Sequence, residues 1–555
     1  MRRICLGILA LSFGLSCPAV AATSTPPPAA ALRFSSQAVL RVMAAREGLL
    51  LQRMRNLRPI VETYIQNMKL DPVLGLVPIA DHYYLGQLDY NGYESYNANR
   101  RKKSHGLLYG LASALASPIT GLAHFYSLHF QNAGFLAMLF PDVNGFGPNR
   151  YRFRYTRQQF LGEVRCYVFN VRPLRPRAGA FIGRIWIETR HDNLVRFNGT
   201  FEGGGYFHFD SWRVNVRPGW WLPAFVYSEE SDLKGTSLFG LAGHTRFMAE
   251  THLWGYGIAP RNFSAAARMI LAGPGGDRSQ EALSPVAAER LWQRQAENNM
   301  LHRLERAGLL APPGPIDKVL DTVVENIEIT NHLRIAPRVR CRVLLTTPLG
   351  VFDIGHTIVI SRGLIDVLPN EASLALILTR GLADILVDHF TNTRDAFYDR
   401  TMIPNDRVLQ QFQLGNDPIR DDQVQQEVTK LMFNSPYRGQ LSSAGLFLEA
   451  LQARAPALPH LTESAVGGNP LIEDGMVVGL AAIDAPPLNF DAINQIEALP
   501  LGSRVGLNPW TDSVSMVHTA PVHLESAAEK MPFQVTPQHP FLRRAGGHSE
   551  QMARR

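Results

Sequence analysis

The chain has 555 residues, 46% of them hydrophobic and 19% charged, with 55 Lys and Arg against 48 Asp and Glu for a formal charge of +7. That length holds two or three ordinary domains with real cores, and the composition excludes a disordered or collagenous chain. The basic residues are spread without a long lysine block, which argues against a nucleic-acid partner and describes a mildly basic surface.

Arg2 and Arg3 precede the apolar run ICLGILALSFGL and the small-residue site Ala19-Val20-Ala21. This three-part order predicts a cleaved export signal over residues 1–22 and a periplasmic or secreted protein. The apolar run is about a dozen residues, short of the roughly 20 that span a bilayer, so the protein is expected to be peripheral to a membrane at most. Cys17 raises lipidation, but Gly14-Leu15-Ser16 before it departs from the usual spacing of a lipid-attachment site. Cys5 and Cys17 fall in the signal, which leaves Cys166 and Cys341 as one possible bridge or two buried thiols.

Residues 23–150 read as a linker and helical lead-in. STPPPAAA (24–31) is a low-complexity linker, NLRPIVETYIQNMKL is expected to form a short amphipathic helix after Pro59, and 106–140 a hairpin of helices. From 151 the period changes to two. YRFRY, EVRCYVFNV, RIWIET, YFHFDSWRVNV, WWLPAFVYS and HTRFMAETHLWGY follow one another with turn residues between them, which predicts an antiparallel curved sheet or half-barrel over 151–260. The order GEVRCYVFNVRP, GRIWIET, LVRFNGTF resembles the LolA-like lipoprotein-sorting half-barrels. That resemblance implies an apolar concave surface for a lipid or lipoprotein chain; the alternative reading is a sheet that packs on the next domain.

Ser284-Pro285 starts a helix that Gly308 ends, and a second helix after Pro315 places Ile316, Val319, Leu320, Val323, Val324 and Ile327 on a buried face. A strand VRCRVLLT (339–346) precedes HTIVISRGLIDVLPNEASLALILTRGLADILVDHF (356–390). With Gly363-Leu364, Asn370-Glu371 and the later His389, this stretch resembles the HtpX-like zinc metallopeptidases, in which a strand, a Gly-Leu segment and an acidic turn lead to a helix bearing HExxH. The resemblance gives the fold class as α+β: an antiparallel half-barrel followed by a mainly helical metallopeptidase-like domain over 280–480, with a C-terminal extension over 481–555.

At the family's chemical positions the residues differ. Arg380 stands where the first zinc ligand belongs, Gly381 at the general base and Asp384 at the second ligand. HExxH works because a helix sets residues four apart on one face, so two imidazoles share one Zn²⁺ beside a Glu that polarises its water. A fixed guanidinium, a residue without a side chain and a lone carboxylate perform none of those tasks. The family's third ligand maps to Asp421 in PIRDDQVQQEVTKLMF (418–433), with Gln425 at its partner position. An unrelated site built from His356, Asp384, Asp388 and His389 is disfavoured because His389 lies five residues after Asp384, off the shared face.

The reading is therefore an exported metallopeptidase homologue without catalysis and without a cofactor, zinc being the family's. It is expected to bind or scaffold envelope polypeptides or lipid. The alternative is an active periplasmic zinc endopeptidase with an atypical site. Arg380 and Asp384, four apart on one helix, are expected to pair in the metal's place. From 435 on, SPYRGQLSSAGLFLEALQARAP continues as helix, NPWTDSVSMV reads as a strand, and a Pro-rich tail beyond it packs across domains.

Overall fold

The computed structural model describes residues 35–71, 75–87, 136–202, 207–230, 246–256, 285–387 and 418–463, with short pieces between 466 and 545. The expected signal and linker, most of the 106–140 stretch, Asp388 and His389 lie outside the described residues. Among the described residues no helix is long and apolar enough to cross a membrane.

Nine strands form one antiparallel sheet in the order β2-β1-β9-β8-β7-β6-β5-β4-β3. They are β1 (Ile60–Asp71), β2 (Gly75–Gln87), β3 (Tyr151–Leu161), β4 (Val164–Pro173), β5 (Phe181–Glu188), β6 (Leu194–Phe201), β7 (Phe207–Arg217), β8 (Trp220–Glu230) and β9 (Arg246–Trp254). The helix expected after Pro59 is instead strand β1. Its apolar residues at 60, 61, 64, 65 and 68 satisfy a helical period as well as a strand. Backbone partners on both sides decide the matter: Tyr64 lies opposite Tyr83 of β2 and opposite Glu250 of β9. The sheet thus begins near residue 60, and the lead-in contributes two of its strands.

Each face of the sheet carries a packed core over part of its area. On one, helix α1 (Ser36–Met54) and the 138–146 segment pack Val39, Leu40, Met43 and Phe146 against Val61, Ile65, Phe169, Phe181 and Phe197. Ser35 caps α1 by accepting from the Ala38 N–H. A buried bidentate pair, Arg213 Nη1 to Glu47 Oε1 at 2.5 Å and Nη2 to Oε2 at 2.7 Å, fixes its rotation on β7. On the other face, Ile60, Tyr64, Leu85, Val168, Trp186, Trp212 and Trp254 join one continuous core with the C-terminal module. Of the two readings of the sheet, packing on the next domain is what the described residues display.

The C-terminal module contains α2 (Pro285–Arg306), α3 (Pro315–Thr330), α4 (Arg362–Val367), α5 (Glu371–Leu386), α6 (Pro418–Phe433) and α7 (Leu441–Arg454) around a three-stranded sheet, β10 (Arg340–Leu344), β12 (Thr357–Ser361), β11 (Val351–Ile354). The strand-to-helix course expected over 356–386 is present. On α3 the buried face is Ile316, Leu320, Val323, Val324 and Ile327 as expected, but Val319 is 56% exposed: the stripe is one residue narrower than the spacing implies. Gly355 has φ +58 in the β11–β12 turn, where Glu297 crowds the space a Cβ would take. At Gly363 a Cβ would collide with the Thr347 carbonyl, so this glycine lets α4 start directly against the 346–347 backbone.

The tail crosses between modules as expected. Gln66 of β1 donates to the Phe533 carbonyl and accepts from Val535 N–H at 2.7 Å, and Leu542 accepts from Glu163 N–H at 3.0 Å. Cys166 and Cys341 are buried free thiols; burial pushes Cys166 up to about 12 and Cys341 upward too, so both act as packing groups.

Candidate functional site

Helix α5 is capped by Asn370, whose side chain accepts from Ser373 N–H, and buries nearly every residue from Ala372 to Asp384. Arg380 is 1% exposed and Asp384 5%. Gly381 lies against β12: a Cβ there would sit 3.0 Å from Ile358 Cγ2 and within 3.3 Å of two further Ile358 carbons. Ile358 is itself fully buried. A side chain at this position would press on a core isoleucine, which would have to give by a few tenths of an ångström.

Asp353 of β11 shares the electrostatic environment of this helix turn. Burial first, then the charge of Asp384 and more weakly that of Glu297, push its carboxyl well above the usual range, while Arg380 works in the opposite sense. The guanidinium of Arg380 and the carboxyl of Asp384 on this helix thus share one electrostatic environment with Asp353 of β11 and Glu297 of α2. Asp421 lies on α6, which packs beside α5; its side chain is outside the described residues. His356 is half-buried in the β11–β12 turn, where its carbonyl accepts from Arg340 N–H at 3.0 Å. Among the described residues no three His, Cys, Asp or Glu side chains converge in a way that could hold a metal ion.

A second buried polar cluster, which sequence reasoning missed, lies where the sheet meets α4. Arg362 is fully buried and donates through Nη2 to Glu62 Oε2 of β1 and to Thr347 Oγ1, both at 2.7 Å. Glu62 also accepts from Thr347 N–H at 2.5 Å, from the Thr347 hydroxyl at 2.8 Å and from the Tyr83 hydroxyl at 2.8 Å. Asp366 Oδ2 lies 3.5 Å from Arg362 Nη1, one helical turn on. Burial opposes the guanidinium charge, but Glu62, Asp366 and Glu250 outweigh it and hold Arg362 above its usual value. Nearby, Asp81 of β2 accepts from the N–H groups of His460 and Leu461 at 3.0 and 2.7 Å and from the Tyr64 hydroxyl at 3.1 Å, capping a short helical turn from the other module.

Glu250 of β9 faces the same junction. Neither of its oxygens has a hydrogen-bond partner among the described residues, and His252 Nε2 lies 3.5 Å away. Burial pushes Glu250 up to about 7, with Arg362 opposing, and drives His252 well below its usual value. A carboxyl raised in the fold binds a proton that the unfolded chain has already released. The stability it confers is present below about pH 4.5 and is lost as pH rises through about 7. Glu250→Gln is therefore expected to flatten the fall in stability over this window and to raise the denaturant midpoint at pH 8, by on the order of 2–3 kcal/mol. Equal midpoints for the two proteins at pH 5 and pH 8 would contradict this.

No protein family and no curated protein matches the chain. Among solved structures it is similar to a LolA superfamily protein from Nitrosomonas europaea, at 9% identity and TM-score 0.20, over 40% of this chain and 92% of that one. It is also similar to a putative outer membrane lipoprotein-sorting protein domain from Vibrio parahaemolyticus, at 11% identity and TM-score 0.19, over 38% of this chain and 91% of that one.

Proposed function

We propose that this chain is an exported, metallopeptidase-like protein without peptidase activity that acts as a binding or scaffolding component of the cell envelope. The observation that carries the reading is Gly381: the place that the resemblance gives to the water-activating glutamate has no side chain and lies tight against Ile358, with the buried Arg380 beside it where a zinc ligand would stand. A cation four residues from Asp384 uses the helix face on which the family sets two imidazoles, and removes the chemistry while keeping the packing. Export rests on Arg2-Arg3, the short apolar run and Ala19-Val20-Ala21.

The test is hydrolysis of casein-like substrates by the purified mature protein, with and without added zinc. No cleavage above buffer is expected in either condition. Cleavage that a chelator abolishes and zinc restores would overturn the reading in favour of an endopeptidase with an atypical site. Expression of the full gene in a Gram-negative host is expected to yield a periplasmic protein shortened by about 21 or 22 residues at the signal site; an intact N-terminus in the cytoplasm would contradict export.

A further inference from the structure

Residues 150–184 contain nine arginines and a single acidic residue, Glu163, and the strand register gathers five of the nine on one face. Residues directly opposite one another in a sheet share a face. Arg152 of β3 is opposite Arg172 of β4, and Arg154 is opposite Asn170, which is opposite Arg184 of β5. Past the bulge at Tyr155, Arg157 is opposite Val168, which belongs to the core beneath the C-terminal module, so Arg157 points to that same side. Arg152, Arg154, Arg157 and Arg172 are exposed, and Arg184 is half-buried.

Among the described residues none of the five has a carboxylate at ion-pair distance, and Arg184 and Arg157 bond only to the neutral side chains of Asn170 and Gln159. The next arginine along the sheet shows the contrast. Arg196 forks onto Asp210 at 2.8 and 2.6 Å and is held between the rings of Trp186 and Trp212. Like charges set directly opposite, as Arg152 and Arg172 are, oppose pairing of the strands. Here the pair lies between β4 and the edge strand β3, whose outer side no described strand covers.

We infer that this face of β3–β5 is a docking surface for an anionic phospholipid membrane. The arginines project from a lattice of about 4.8 Å between strands and about 6.7 Å along them, a planar array of charge suited to a planar array of phosphates. At the same end of the sheet Leu174, 48% exposed, two residues after Arg172 and next to Arg175, offers an apolar side chain to the headgroup boundary. A single-stranded nucleic acid would call for aromatic stacking platforms, but Trp186, the aromatic that β3–β5 place on this face, is 4% exposed. The choice of lipid over nucleic acid also draws on the export reading above, since an exported chain meets anionic headgroups. The charge argument does not.

The test is co-sedimentation of the full chain with phosphatidylcholine vesicles containing about one third phosphatidylglycerol. Binding is expected to these vesicles, to weaken steeply with salt, and to be absent on pure phosphatidylcholine. The triple variant Arg152→Gln, Arg154→Gln, Arg172→Gln is expected to lose affinity on the order of a hundredfold, about fivefold per charge. The matching triple lysine variant should retain most of it, and Arg334→Gln in the other module should bind as the parent does. Unchanged circular dichroism separates lost binding from lost fold. No binding to phosphatidylglycerol vesicles, binding that the triple glutamine variant keeps, or binding to soluble dextran sulfate without binding to vesicles would each overturn the inference. The assay does not depend on where the chain resides, so its failure would leave the export reading standing.

Discussion

Arg362→Met is expected to be among the most damaging single substitutions, lowering stability by about 3–5 kcal/mol. The methionine fills the aliphatic volume, so the loss is one of charge. Glu62 would keep its donors from Tyr83 and Thr347 but lose its cation in a fully buried place, and Asp366 would lose the same partner. Arg362→Lys keeps a charge but not the fork that reaches Glu62 through Nη2 and Asp366 through Nη1, and should fall between the parent and Arg362→Met. Glu62→Gln combined with Arg362→Met should recover part of the loss, because the orphaned carboxylate is then gone. The unfolding midpoint at pH 7 reads all three. A midpoint for Arg362→Met within about 0.5 kcal/mol of the parent would contradict the assignment of Arg362 as the junction's central ion.

Arg380→Met is expected to cost on the order of 3 kcal/mol at pH 7, since it leaves Asp384 and Asp353 in one buried environment with Glu297 nearby and no cation among them. Asp384→Ala is expected to cost a similar amount for the opposite reason, a guanidinium that is 1% exposed with one carboxylate fewer. The pH dependence separates the two. In Arg380→Met the remaining carboxylates take up protons as pH falls, so the deficit should shrink between pH 7 and pH 5; in Asp384→Ala the arginine stays charged and the deficit should persist. If Asp384→Ala leaves the midpoint unchanged, the pairing of charges across this helix turn is wrong.

Local signals carried much of the C-terminal module. The stripe of α3, the glycine stop at Gly308 and the strand-to-helix course over 356–386 are all matters of spacing within some 30 residues. Strand β1 was not legible because IVETYI fits two periods, and the deciding partners lie at residues 75–87 and 246–254, the latter nearly 200 residues away. The junction was hidden for the same reason: nothing local marks Glu62 as the partner of Arg362, 300 positions later. The basic face shows a third case. Its arginines look scattered in a linear reading and become one patch only once the register sets Arg152 opposite Arg172 and Arg184 opposite Asn170. Glycines can also mislead: at 381 the missing side chain reads as a lost catalytic group, and the fold adds that Ile358 occupies the room.

On the function proposed above, helix Glu371–Leu386 is a packing element with an internal ion cluster in place of a metal centre. The most direct measurement is calorimetric titration of zinc into chelator-stripped mature protein at pH 7, with elemental analysis of the protein as purified. Well under one zinc per chain as purified and no saturable binding in the micromolar range are expected. Stoichiometric zinc that survives purification, and is lost in Asp384→Asn, would contradict it.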